Sequence, residues 1–298
     1  MRSKPFIILL SLISLACGVL LVTAQEPGDE VRGAFLSTRP KTTNSNAAAR
    51  RRRVRNTNSS SATAKNANST AVNANRTANR NSSVTHKLAE AMGLGYTLFM
   101  RGANGRSVRV EPSREFHNGD SVRIALEPNV DGYLYVFHTE GNGEPEMIYP
   151  DWRLDGGENW IEAHVPVEIP SSEETDERLR WFTFYGNAGI ERLYVVVSRE
   201  QLPGVPTGDR LVTFCAANKD KCPWRPLSEV WAQLQNATKA EVKVVSAKSF
   251  GQPLSDKEQV ATTRGLGLDQ TAPEPSVIRM NASTNSPVLV AVLDLIHK

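Results

Sequence analysis

The clearest hydrophobic pattern in the chain lies at residues 131–138, with the sequence DGYLYVFH. In an extended strand, its aromatic residues would share one face and its aliphatic residues the other. Both faces are therefore apolar, which predicts a strand in the interior of a sheet, because an edge strand would alternate with charged residues. The Asp131-Gly132 pair is suited to a turn before this strand, since glycine adopts positive φ without steric cost.

Other apolar or alternating runs are separated by turn signals, of which Asn104-Gly105 is the strongest for a hairpin. Short strands at this spacing are typical of a β-sandwich or barrel, and we expect a mainly β, antiparallel β-sandwich. The final apolar run, 288–296, is expected to return to the main sheet. The predicted strands are 96–100, 107–110, 122–127, 146–149, 160–165, 181–185, 193–197, 241–245 and 288–296.

One amphipathic helix is predicted between Pro226 and Ala237. Its apolar side chains follow helical spacing on a single face, and proline is tolerated in the first turn. We expect this face to pack on the sheet. The stripe consists of Leu227, Val230, Trp231 and Leu234.

The amino-terminal segment has the pattern of a secretory signal peptide. Arg2 and Lys4 precede an apolar run from Phe6 to Val22, and small residues precede Gln25. We expect cleavage after residue 24 and an exported protein in the bacterial periplasm, the outer envelope or the extracellular space.

Two other uses of this segment are less favoured. Lipidation at Cys17 would give an anchored form, but Ser14 stands where an aliphatic residue is usual and the apolar run continues beyond the cysteine. The run is also nearly long enough to remain as an uncleaved anchor. Export is common to all three interpretations.

Composition separates the next segment from the rest of the chain. Residues 31–87 contain twelve Lys or Arg and no Asp or Glu, whereas residues 88–298 hold 21 basic and 29 acidic side chains, a net formal charge of −8. We predict a disordered linker rich in Asn, Ala, Ser, Thr and Arg at 25–87, because such a sequence cannot bury a core. The folded domain is placed at 88–298.

An arginine run lies within this linker. Such runs bind anionic polymers or lipid headgroups through counterion release, and an electrostatic tether to the envelope is one interpretation. A solvated spacer is the other, and nucleic acid is not expected for an exported protein. The run consists of Arg50, Arg51, Arg52, Arg53 and Arg55.

Cysteine use is sparse. Once the signal peptide is removed, only Cys215 and Cys222 remain, and in an exported chain they are expected to form a disulfide. Two thiols without a nearby histidine give too few ligands for a metal site, and no cofactor is predicted.

Four motifs in fixed order mark a resemblance to the bacterial domain of unknown function 4384 family over about residues 95–203. The motifs are Phe116–Asp120, Asp131–Val136, Met147–Pro150 and Gly189–Ser198. The resemblance implies an exported or envelope module and supplies no set of catalytic residues. Residues 204–298 would then form a carboxy-terminal extension of this core.

Aromatic residues offer candidates for ligand contact, since flat rings stack on apolar surfaces of glycans or peptides. Core packing explains most of them equally well, and Trp152 is the best candidate because it is expected in a turn. The candidates are Tyr135, Tyr149, Trp152 and Trp160.

Acidic residues between positions 151 and 162 could supply the paired carboxylates of a hydrolase, but sequence does not place them across a substrate. No nucleophile, phosphate-loop or dinucleotide motif supports an enzyme. We therefore expect a non-catalytic module that acts by binding an envelope protein or polymer or by assembly, with a hydrolase or a tail that coats an acidic polymer as alternatives. The acidic candidates are Asp151, Asp155, Glu158 and Glu162.

Overall fold

A computed structural model describes residues 27–39, 90–172, 174–247, 250–253, 255 and 273–298. Within these residues, thirteen strands form two sheets and three α-helices lie outside them. The helices are α1 (Pro27–Ser37), α2 (Asp209–Ala217) and α3 (Ser228–Ala237). The strands are β1 (Gly93–Arg101), β2 (Ser107–Val110), β3 (Glu115–Phe116), β4 (Ser121–Pro128), β5 (Gly132–Glu140), β6 (Glu146–Tyr149), β7 (Trp160–Ile161), β8 (Val167–Ile169), β9 (Phe182–Thr183), β10 (Gly189–Ser198), β11 (Val242–Ser246), β12 (Val277–Asn281) and β13 (Val288–His297).

The first sheet has the strand order β11-β12-β1-β4-β8, with β2 paired to β1 and β9 paired to β4. The second has the order β3-β13-β10-β5-β6, with β7 paired to β5. Neighbouring strands pair antiparallel, except that β3 runs parallel to β13. The mainly β fold and the return of the last strand to the sheet are thus confirmed.

The core between the sheets follows from the alternation along β5 and β10. Leu134 and Val136 point into this core, together with Val195 and Val197 from the paired strand. All four side chains are wholly buried. The predicted interior position of β5 is confirmed, since β10 pairs with one edge and β6 and β7 with the other.

The opposite face of β5 is also buried, because α2 and α3 cover it. Trp231 of α3 packs edge-on against Phe137 and Tyr194, with ring centroids 6.0 Å and 4.7 Å away. The predicted helix is confirmed, but it begins at Ser228, so Leu227 has extended backbone angles and 63% of its surface is exposed. Helix α2 was not predicted from the sequence.

The structure corrects the amino-terminal end of the predicted linker. Residues 27–39 form α1 and its last turn, and Phe35 is wholly buried against Ile278 and Met280 on the outer face of the first sheet. Ala91 packs on the same cluster, so described residues on both sides of the stretch 40–89 contact it. Within the described residues, no helix combines the length and apolar character required to cross a bilayer.

The signal peptide, the remainder of the linker and the arginine run at 50–55 lie outside the described residues. Several local predictions within the described residues were wrong. The strand predicted at 181–185 is limited to Phe182 and Thr183. The strand predicted at 160–165 ends at Ile161, because the chain turns and His164 has a φ of 58°. Gly132 has no positive φ; a Cβ atom at this position would instead lie 2.3 Å from the carbonyl oxygen of Ser198.

Candidate ligand-binding groove

A groove of about 1030 Å³ opens where the edge of one sheet faces the edge of the other. Strand β6 of the second sheet lies on one side, and β8 and β9 of the first sheet lie on the other. We refer to it as the inter-sheet groove. Its volume is at the upper end of the range for small-molecule sites. A groove of this size is therefore large enough to hold one stretch of a longer ligand.

The first wall consists of β6, the loop at 150–158 and the segment that carries the disulfide. Tyr149 and Trp152 are partly exposed on this wall, and Trp152 packs against the cluster beneath α2 and α3. Trp224 lies deeper and is 9% exposed. The aromatic faces on this wall are therefore supported from behind by packed side chains.

A disulfide fixes the far end of this wall. Cys215 and Cys222 are joined, with their Cα atoms 5.7 Å apart, and both line the groove. Two residues beyond the bridge, the Trp224 carbonyl accepts a hydrogen bond of 2.8 Å from the backbone N–H of Met147 in β6. The disulfide loop is thus tied directly to the edge of the second sheet.

The second wall is built on β8, β9 and the loop that connects them. Trp181 faces the groove and is backed by Arg123, whose guanidinium lies 4.1 Å from the ring centroid. Arg123 donates two hydrogen bonds, of 3.0 and 2.7 Å, to the carbonyl of Arg180. Burial lowers the pKa of Arg123, an effect that the nearby carboxylate of Glu168 opposes.

The connecting loop is held by its own acidic residues. The carboxylate of Asp176 accepts hydrogen bonds from the backbone N–H and the guanidinium of Arg178, and these lower the pKa of Asp176 to about 2. The backbone N–H of Asp176 and the hydroxyl of Thr175 likewise hold the pKa of Glu174 below its usual value. Both carboxyl groups are therefore ionised at neutral pH.

Charged residues on the walls are more often acidic than basic. Asp151 is paired with Arg153, whereas the exposed carboxylates of Asp155 and Glu158 have no hydrogen-bond or ion-pair partner among the described residues. The groove therefore offers free hydrogen-bond acceptors beside its aromatic rings. The charged lining residues are Asp151, Asp155, Glu158, Glu168, Glu174, Arg153, Arg178 and Lys219.

The structure separates the four aromatic candidates predicted from sequence. Tyr149, at the end of β6, and Trp152, in the turn that follows it, both line the groove. Trp160 is 50% exposed but lies outside the groove, edge-on to Tyr133 at 5.0 Å. The prediction for Tyr135 was wrong, because its side chain is wholly buried and its hydroxyl accepts a hydrogen bond from the Leu202 N–H.

Two lining residues that sequence reasoning did not select are Trp181 and Glu168. Trp181 was predicted to belong to a strand at 181–185. Nothing in the sequence indicated that the Arg180 carbonyl would accept hydrogen bonds from Arg123 and so hold that guanidinium against the Trp181 ring. Of the acidic candidates, three line the groove and Glu162 does not. In the part of the chain that the structure describes, no group of three or more His, Cys, Asp or Glu is placed to hold a metal ion.

A second polar cluster lies away from the groove. Arg39 and His164 both bind the carboxylate of Glu127, and all three residues are at most 4% exposed. The only sequence signal for it was Glu127 itself, a carboxylate within a strand of mostly apolar residues, since a charged residue requires a partner when buried. Its partners come from distant segments and could not be identified from sequence.

The three strands that border the groove, β6, β8 and β9, belong to one continuous stretch of chain, from β3 to β10. Residues 115–201 match a known family model. Its description is Domain of unknown function (DUF4384). The DUF4384 match confirms the resemblance inferred from sequence, although it begins later than residue 95.

The DUF4384 region covers less than a third of the chain. It supplies β3 to β10, but the strands that complete the two sheets, β1, β2, β11, β12 and β13, come from outside it. The disulfide segment of the groove also lies beyond it. The chain matches no protein of curated function and no solved structure.

Proposed function

We propose that this protein is an exported, non-catalytic binding module and that the inter-sheet groove is its ligand site. The observation that carries the proposal is the arrangement of Tyr149, Trp152 and Trp181 on the two walls of a groove of about 1030 Å³. Partly exposed rings held by packed neighbours form flat apolar surfaces that need no reordering when a ligand arrives. The unpartnered carboxylates supply the polar contacts that orient a ligand.

The disulfide supports export. Disulfides persist in compartments more oxidising than the cytosol, and the bridge between Cys215 and Cys222 shapes one wall of the groove. The sequence pattern at residues 1–24 points the same way. These two features together support export, and on that basis we propose a place in the bacterial envelope with an envelope protein or polymer as partner.

Binding is favoured over hydrolysis by the disposition of the acidic residues. A glycosidase needs two carboxyl groups on either side of the scissile bond, one of them an acid with a raised pKa. Asp151, Asp155 and Glu158 belong to a single loop on one wall, and Asp151 is neutralised by Arg153. On the facing wall, the pKa of Glu174 is lowered.

The position of α1 also changes the proposed role of the basic segment. Because residues 27–39 and Ala91 pack on the same cluster, the segment between them begins and ends on the domain. It therefore does not set the distance between the domain and an amino-terminal anchor. An electrostatic contact with an anionic surface remains a proposal for it, and deletion of residues 42–87 would test that contact separately.

The groove is tested by co-sedimentation of residues 25–298 with isolated bacterial cell wall and membrane. We expect retention at 0.5 M NaCl that is lost in Trp152→Ala and Trp181→Ala. Trp160→Ala is the matched control, because Trp160 is an exposed tryptophan outside the groove. Equal retention of all three variants, or retention that salt abolishes, would overturn the proposal.

A further inference from the structure

The groove also indicates which class of ligand it takes, an inference that rests on the proposed function. Its rings are fixed rather than adaptable. Trp181 contacts Phe99 and Ala125 in a small cluster and has Arg123 against its ring. A pyranose ring presents a face of C–H groups that packs on such a flat indole, and a fixed ring avoids the entropic cost of ordering a side chain.

The polar groups of the groove are planar and in part free. Asp155 and Glu158 are exposed without partners among the described residues, and the side chain of Arg178 is 88% exposed. Carboxylates accept hydrogen bonds at two oxygens and a guanidinium donates several in one plane. These groups suit adjacent hydroxyls of a sugar, which act as both donors and acceptors.

The strand edges offer little to an extended peptide. Peptides that add to a sheet need a row of free backbone groups on the receiving strand. β8 has three residues and is flanked by Pro166 and Pro170, which lack an N–H. In β6, the N–H of Met147 already donates to Trp224, and Pro150 follows the strand.

The excess of acidic residues in the groove further restricts the class of ligand. Five carboxylates and three cationic side chains line the groove, and two of the cations are held by neighbouring aspartates. An acidic polymer would meet net repulsion there. We propose that the inter-sheet groove binds a stretch of a neutral or amino-substituted polysaccharide, with its sugar faces on Trp152 and Trp181 and its hydroxyl or amino groups on Asp155 and Glu158.

The test uses residues 25–298 on an array of neutral, amino-substituted and acidic oligosaccharides of four to eight sugars, beside an array of 15-residue peptides. We expect binding to neutral or amino-substituted glycans, reduced at least tenfold in Trp181→Ala and in Glu158→Gln. Trp152→Phe, which keeps a ring, should lose less than Trp152→Ala, and Trp160→Ala should bind as the parent does. Circular dichroism confirms that each variant is folded.

The outcomes separate this inference from the function on which it rests. Peptides or acidic glycans that bind in a manner dependent on Trp152 would overturn the ligand class and leave the groove as the binding site. Neutral-glycan binding that is unchanged in Trp152→Ala and Trp181→Ala would overturn the assignment of the glycan to the groove. Binding to neither array would overturn the inference, while the co-sedimentation experiment would still decide the proposed function.

Discussion

Arg39 forms a two-point ion pair with Glu127, a residue 88 positions away in β4. The Nε and Nη2 atoms of Arg39 donate to the two carboxylate oxygens at 2.9 and 2.7 Å, and each residue is 4% exposed. His164 lies 2.8 Å from the same carboxylate through Nδ1, and its Nε2 is 2.7 Å from the Thr38 hydroxyl. The residues that follow α1 are thus fixed to the first sheet by a buried polar network.

Arg39→Ala should destabilise the fold by about 3 kcal/mol or more, because removal of one partner leaves a buried charge with incomplete compensation. The matched control is Arg32→Ala in α1. Arg32 pairs with Glu274 at the surface, where such pairs contribute about 0 to 1 kcal/mol. Urea unfolding of residues 25–298 measures the free energy of unfolding of both variants. Equal losses would show that the buried pair contributes no more to stability than the surface pair.

Gly132→Ala should destabilise the protein by about 1 to 3 kcal/mol, the range typical of overpacking. A Cβ atom there would lie 2.3 Å from the backbone oxygen of Ser198, so β5 and β10 must move apart. Gly189→Ala is the control, because a Cβ atom at Gly189 meets no atom within 4 Å. Thermal unfolding of both variants checks this, and equal melting temperatures would contradict it.

The two buried histidines should respond in opposite ways to replacement by leucine. His164 and His297 are each 1% exposed, but neither ring nitrogen of His297 has a hydrogen-bond partner in the described structure. His297→Leu removes unsatisfied polar atoms and should be neutral or stabilising, by up to about 2 kcal/mol. His164→Leu removes one hydrogen bond from the buried carboxylate of Glu127 and one from the Thr38 hydroxyl, and should destabilise by about 1 to 3 kcal/mol.

Unfolding of these two variants at one pH and temperature gives the comparison. A loss of stability in His297→Leu as large as that in His164→Leu would mean that the His297 ring contributes through its packing on Phe184, whose centroid is 5.3 Å away.

Removal of the disulfide should cost roughly 2 to 3 kcal/mol, since the loop it closes is short. The Cys215→Ala/Cys222→Ala variant should also lose ligand affinity, because Trp224 and its bond to Met147 lie just beyond the bridge. Unfolding and glycan binding are measured on the same preparation. A variant that is less stable but binds the glycan normally would show that the disulfide stabilises the fold without being needed for ligand binding in the groove.

The long strands could be predicted because their patterns were unambiguous. In β5 and β10, both faces are apolar over five consecutive residues, 133–137 and 193–197, and the fold provides a buried surface for each face. The three-residue β8 had no such signal, because its pairing depends on β4 rather than on its own sequence, and of the strand predicted at 181–185 only the two residues of β9 pair with β4. The second wall of the groove was therefore missed.

Helix α1 was missed for a different reason. Its sequence lies beside a long polar segment, and the average composition of 25–87 conceals the apolar pair Val31 and Phe35. A helix of this length is too short to be stable by itself, and α1 is stabilised by the packing of Val31 and Phe35 on Ile278 and Met280. The surface position of Trp152 could be predicted because a proline and an aspartate before it marked a turn, whereas ligand contact by Tyr149 and Trp152 stays a prediction.

In the loop of the second wall, the Asp176 carboxyl should stay ionised to low pH. Hydrogen bonds from Arg178 lower the pKa of Asp176 to about 2 in the folded protein, against about 3.9 for an unperturbed aspartate. A depressed folded pKa contributes stability that is fully present above the unfolded value and is lost as the pH falls through about 2. Carbon-13 NMR of the Asp176 carboxyl should therefore show a midpoint near pH 2.

In Arg178→Ala the midpoint should rise towards the unperturbed value, because the guanidinium that provides the largest contribution is gone. A midpoint near 3.9 in the parent protein would mean that this contact does not persist in solution.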